Sequence, residues 1–177
     1  GIEVTRLVRR APRATAEVEW QPERLRLDPA VLAGAKAVVN LGGASIGRLP
    51  WTRSYRRTLI ESRIAPTRTL ARAIRTLGTE APALVSASAV GFYGDRPGER
   101  LTEESEAGGT FLAQLCSAWE REALEAGAHA RVALLRTAPL LHSEGVLKPL
   151  MLLTRLGLSG PLGSGRQIWP WISLADE

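Results

Sequence analysis

Residues 84–95 read LVSASAVGFYGD. An apolar strand runs into Ser86 and Ser88 and then into Gly91-Phe92-Tyr93-Gly94. Two hydroxyls and a phenol at the end of an apolar strand suit a site that moves protons. On both sides of this stretch, strand-like and helix-like segments alternate. Residues 2–8 (IEVTRLV) and 16–20 (AEVEW) are strand candidates, and residues 35–43 (AKAVVNLGG) form an apolar strand that runs into glycines. Residues 52–77 carry a long helical pattern that either runs unbroken or kinks or restarts at Pro66. Residues 111–126 form a second helix, ended by Gly127, and residues 130–138 (ARVALLRTA) return to strand. A short amphipathic helix is expected over 148–156, followed by a Gly/Pro-rich loop over 157–173 that ends in a strand. Near-continuous apolar strands alternating with helices predict an α/β fold with a doubly wound parallel sheet covered on both faces.

Composition narrows the field. A chain of 177 residues fits one domain of ordinary size, and 45% hydrophobic residues are enough to build a core. No run of eighteen apolar residues is present, so no membrane partner is expected. The first twenty residues contain basic side chains but no apolar stretch after them, unlike a signal peptide. Cys116 is the only cysteine, which rules out an internal disulfide and suits a cytoplasmic setting. The formal charge of +5 is carried almost wholly by arginine, with lysine only at Lys36 and Lys148. Acidic residues are interspersed and no basic block appears, so nucleic acid is not the expected partner. His129 and His142 have no Asp, Glu or Cys at ligand spacing, and no metal site is expected.

In open parallel sheets the ligand lies outside the carboxyl ends of the strands. That rule selects Val8-Arg9-Arg10, Asn40-Leu41-Gly42-Gly43, Ser86 to Tyr93, and Arg136-Thr137. All four junctions are polar or carry glycine. Gly42 and Gly43 allow close approach of a ligand, or simply a tight turn. Arginine directly after an early strand suits a dinucleotide's 2′-phosphate, whereas an acid would suit a 2′-hydroxyl. For Arg10 a solvated strand end is equally reasonable. On a helical wheel, Leu59, Ile60, Ile64, Leu70, Ile74 and Leu77 share one face of residues 52–77, with Arg57, Arg68, Arg72 and Arg75 off it. Arg56 and Arg63 fall on the apolar face, where each must snorkel or find a partner such as a phosphate or carboxylate.

These junctions resemble the extended short-chain dehydrogenase/reductase family, and more closely its atypical NAD(P)-dependent epimerase/dehydratase-like branch. The similarity rests on VVNLGGASI (38–46), Trp51 followed by IESR (60–63), SASAVGFYGD (86–95), FLAQLCSAWE (111–120) and RLGLSGPLGSGRQIWPWI (155–172). It implies a Rossmann-like dinucleotide-binding domain over residues 1–137 and the beginning of a substrate-binding region over 138–177. It further implies NADP rather than NAD through Arg9, with Leu41, Gly42, Arg63 and Ser86 on the cofactor side. Ser88 matches the catalytic-position serine, Tyr93 the aromatic of the Tyr-Gly turn, and Arg166, Gln167 and Trp171 part of a substrate wall. The small-molecule substrate is expected to be sugar-nucleotide-like; the resemblance allows pairing of two copies through the two long helices, while both helices are also needed to cover the sheet.

Two departures stand out. The resemblance implies a Tyr-x-x-x-Lys pair on the second helix, where Phe111 and Leu115 stand instead. Tyr55 and Tyr93 are the only tyrosines, and neither has a lysine four residues on. Tyr93, helped by Ser88 or Arg136, is the substitute that remains; an NADP-binding protein without turnover is the alternative. The chain also has no Gly-x-x-Gly-x-x-Gly turn after a first strand. It therefore reads as a fragment truncated at both ends, lacking the strand that lies centrally in the order 3-2-1-4-5-6. Either strands two and four need another partner or a gap splits the sheet, and the fragment alone is expected to fold weakly and bind dinucleotide poorly.

Overall fold

A computed structural model describes residues 1–143, 145, 147–160, 163–165 and 167–177. The chain divides into two compact units, residues 1–87 with 117–135 and residues 88–116 with 136–177.

Among the described residues the first unit holds every strand. β1 (Arg6–Val8) pairs in parallel with β2 (Glu17–Glu19), and β3 (Ala37–Asn40), β4 (Ala83–Ala87) and β5 (Val132–Leu135) form a parallel sheet in that order. The two sheets are separate, the division expected of a doubly wound order without its central strand. Register places Asn40 beside Ser86, so the polar ends of β3 and β4 lie together.

Helix α1 (Arg53–Thr76) runs unbroken through Pro66. Thr52 caps it by accepting from the Tyr55 amide at 3.1 Å. Pro66 removes one amide donor from the ladder. Just after it, Thr67 and Thr69 turn their hydroxyls back to the carbonyls of Arg63 and Ala65, at 2.7 and 2.8 Å. Burial on α1 differs from the wheel. Leu59, Leu70 and Ile74 are buried as expected, but Ile60 is exposed, and Pro66, Thr67 and Thr69 are buried. The apolar core of this unit joins Leu70, Ala71 and Ile74 of α1 to Val38, Leu84, Trp20 and Leu32.

Helix α2 (Phe111–Leu124) spans the division between the units, and its second half contributes Ala123 to that core. Gly127, just beyond it, adopts φ 95°, a left-handed conformation natural to glycine.

The second unit contains the turn Val90–Tyr93, the start of α2 and helix α3 (Leu147–Arg155). The strand expected at the end of the 157–173 loop is reduced to a single bridge between Leu140 and Ile172. Among the described residues no helix is long and apolar enough to cross a membrane.

Candidate functional site

In the first unit the polar strand ends converge on Thr67. Its hydroxyl accepts from Asn40 Nδ2 and from Trp119 Nε1, both at 2.8 Å, and donates to the Arg63 carbonyl at 2.7 Å. That uses one donor and two lone pairs, the full capacity of a hydroxyl. Asn40 also donates to Ser86 Oγ at 3.4 Å. Asn40, Thr67, Ser86 and Trp119 are all buried, and Ser86 is fully so. Ser86 therefore braces Asn40 from within the sheet.

Arg63 meets the need the wheel assigned to it with backbone groups. Its guanidinium donates to the carbonyls of Leu59 and Ala44, at 3.1 and 3.0 Å, and lies 5.3 Å from the Trp119 ring centroid. It packs so tightly on Gly43 that a Cβ there would come within 2.8 Å of its Cζ. The Ala44 amide donates to Ser62 Oγ at 2.9 Å, and Tyr55 Oη donates to the Ser45 carbonyl at 2.6 Å. Arg63, Ser62 and Tyr55 thus fasten the loop after β3 onto α1. Leu41 and Gly42 remain on its open side: Leu41 is 68% exposed, and a Cβ on Gly42 would touch only Asn40 Oδ1 at 3.8 Å. Arg56, the other cation placed on the apolar face, is exposed.

The two arginines after β1 have different surroundings. Arg10 grips Glu17 through two bonds of 2.8 and 2.9 Å, and the Arg13 amide adds a third at 2.8 Å. The Arg10 bond, with the Arg13 amide, draws the Glu17 carboxyl down to about 2. Arg10 is a structural residue. Arg9 makes one ion pair, to Glu23 at 2.9 Å, with both side chains half exposed or more. Next to this region the Gln21 side-chain oxygen is buried without a hydrogen-bond partner, at a cavity of about 380 Å³ bounded by Trp20, Gln21, Arg26 and Asp28. No feature of the linear sequence marks that oxygen.

The basic flank of α1 is largely neutralised. Arg57 pairs with Glu61, Arg68 with Glu122 and Arg75 with Glu125. The Arg68 contact lowers the Glu122 pKa.

In the second unit, Tyr93 is 8% exposed and Ser88 6%. Arg136 Nη1 donates to Tyr93 Oη at 3.1 Å and to the Glu103 carbonyl at 2.9 Å. Its guanidinium carbon lies 3.6 Å from the Phe92 ring centroid, and Phe92 meets Tyr93 edge to face at 5.4 Å. The backbone of this turn is held by Gly108, whose amide donates to the Phe92 carbonyl at 2.9 Å. Gln167 and Trp171 are exposed, and Arg166 lies outside the described residues. The sequence singled out Ser88, Tyr93 and Arg136 together. It gave no sign that Phe92 would carry the guanidinium.

A parallel α/β sheet with polar strand ends is the architecture of Rossmann-like folds. The sequence profile of the NAD dependent epimerase/dehydratase family matches residues 1–137, and the chain belongs to that family. An epimerase family protein of Mycobacterium tuberculosis is 44% identical over 98% of the chain. The chain spans 58% of that relative's length. The human epimerase family protein SDR39U1, solved with NADPH, superposes with a TM-score of 0.79 at 28% identity, over 98% of this chain and 58% of that one. A nucleoside-diphosphate sugar epimerase from Corynebacterium glutamicum superposes with a TM-score of 0.80 at 37% identity, over 98% and 36%.

Proposed function

We propose that this chain carries the NADP-binding part and the beginning of the substrate region (residues 138–177) of an epimerase/dehydratase-like oxidoreductase acting on a sugar-nucleotide-like substrate. The residues present suit the cofactor. Arg9 offers a half-exposed cation to a 2′-phosphate, and the open Leu41-Gly42 face of the β3 loop suits the adenosine side. Arg63 serves the cofactor indirectly, by fixing that loop, and Ser86 does so by bracing Asn40. A bound nicotinamide dinucleotide supplies hydride transfer.

The contact between Arg136 and Tyr93 carries the catalytic part of the proposal. Oη accepts from the guanidinium, and the phenol's own proton has no acceptor among the described residues. Tyr93 is thereby set to give a proton to a substrate oxygen. The charge left on Oη would lie beside a cation already fixed by Phe92 and the Glu103 carbonyl. Ser88 stands at the catalytic-position serine, and Gln167, Trp171 and, by sequence position, Arg166 contribute to the substrate wall.

The test follows NADPH oxidation against a panel of keto-sugar nucleotides, whose carbonyl carbon takes the hydride while its oxygen takes the proton. Tyr93→Phe is expected to keep NADPH affinity within about twofold and lower turnover roughly 100-fold, the usual worth of a positioned acid or base. Full turnover in that variant removes Tyr93 from the mechanism. One observation favours a second reading: α2 begins with Phe111 and carries Leu115, neither of which transfers a proton. An NADP-binding protein without turnover predicts NADPH binding and no oxidation across the whole panel.

A further inference from the structure

We propose that Glu23 is a built-in competitor for the cofactor's 2′-phosphate, holding Arg9 until that phosphate displaces it. Glu23's role presupposes that Arg9 receives the 2′-phosphate. Arg9 and Arg10 leave β1 as neighbours, yet only Arg10 is committed. Arg10 makes two bonds to a carboxylate that is 4% exposed, whereas Arg9 makes one contact to a carboxylate that is 62% exposed. A single exposed ion pair is weak and readily exchanged.

The position of Glu23 is nevertheless fixed by the backbone. It sits in the short 3-10 turn Pro22–Arg24. Reciprocal bonds between Gln21 and Arg26, at 3.0 and 3.1 Å, close that turn at its base. Leu25 is held at φ 53°, a left-handed conformation that a branched side chain adopts only under constraint. Pro22 is fully buried, and its carbonyl lies 3.1 Å from the Thr69 hydroxyl of α1, which shares its single proton between this carbonyl and that of Ala65. The turn that presents the carboxylate is thus anchored to the longest helix of the unit.

A 2′-phosphate brings more negative charge than a carboxylate and a third acceptor oxygen, so it takes the guanidinium from Glu23. A 2′-hydroxyl does not. Glu23 therefore lowers affinity for NADPH while leaving NADH untouched, and it keeps Arg9 neutralised when no phosphate is bound.

NADPH and NADH are titrated calorimetrically into the protein expressed from its full open reading frame, as wild type, Glu23→Gln, Arg9→Ala and the double variant. Thermal midpoints confirm folding, and Glu23→Ser replaces Glu23→Gln if the latter does not fold. Glu23→Gln is expected to tighten NADPH about two- to fivefold, the range an exposed ion pair is worth. NADH affinity stays constant, and in the Arg9→Ala background removal of Glu23 loses most of its effect. Unchanged NADPH affinity in Glu23→Gln, with weakened affinity in Arg9→Ala, overturns the role of Glu23 and leaves that of Arg9 standing. Equal tightening with and without Arg9 also overturns it. NADPH affinity indifferent to Arg9→Ala overturns both.

Discussion

Thr67 shows how much a single hydroxyl can organise. It satisfies the side chains of Asn40 and Trp119 in a fully buried position while donating to its own helix. Thr67→Val keeps the shape and removes the acceptor for two buried donors. With each orphaned donor costing about 1–3 kcal/mol, the variant is expected to lose about 2–4 kcal/mol in chemical denaturation. A loss below about 0.5 kcal/mol would mean that the donors find other partners. Glu17 gives a pH dependence at the same scale. Its folded-state pKa of about 2 lies below the ordinary carboxylate value of 4.5. The stabilisation is therefore complete above that ordinary value and is lost as pH falls from about 4.5 towards 2. Thermal midpoints should fall through that window, and Glu17→Gln should flatten this part of the curve. Asn40, Ser86, Ser88 and Tyr93 were legible because polar residues at the end of an apolar strand are conspicuous. Thr67 and Trp119 were not, since each lies within a helical pattern and acquires its role only when tertiary packing brings it to Asn40. Arg10 was ambiguous until its partner Glu17 came beside it through the pairing of β1 with β2.

At the scale of elements, strand order and helix order follow the pattern of apolar runs, and the boundaries shift by only a few residues. Besides the strand after the 157–173 loop, reduced to one bridge, the first strand differs, spanning Arg6–Val8 rather than residues 2–8. Ile2 and Val4 are exposed, so apolar character alone did not make them strand. The helix through Pro66 was ambiguous because proline removes a donor wherever it stands, while the neighbouring threonine back-bonds and the burial of Pro66 depend on the fold. The Phe92-Tyr93-Gly94 turn depends on close backbone approach. A Cβ at Gly108 would come within 2.4 Å of the Tyr93 carbonyl oxygen, and Gly94 itself has φ 71°. Gly108→Ala is expected to displace this turn and to destabilise the protein by about 1–3 kcal/mol, with weakened near-ultraviolet signal from Phe92 and Tyr93. Wild-type stability in that variant would show that the turn yields without cost.

At the scale of the molecule, the order β3–β4–β5 was readable because parallel strands need crossovers and those made by α1 and α2 were visible as helical periods, whereas β1 and β2 are joined by residues 9–16 without a helix. The same order explains why β1–β2 and β3–β4–β5 form separate sheets. For the proposed preference for NADP the sequence offers only Arg9, because one side chain at a strand end can favour phosphate or hydroxyl. The missing Tyr-x-x-x-Lys pair was equally plain, whereas the Arg136–Phe92–Tyr93 arrangement is a product of packing within the second unit. Substrate identity was not readable, because exposed Gln167 and Trp171 belong to a glycine-rich loop whose chemistry suits many ligands. The central claim, a dinucleotide site selective for the 2′-phosphate, is tested most directly by calorimetric titration of NADPH and NADH into the protein from its full open reading frame. NADPH is expected to bind about tenfold more tightly, as suits charge-assisted bonds from Arg9, and Arg9→Ala should erase the difference. Equal affinities, or preference for NADH, would contradict the account.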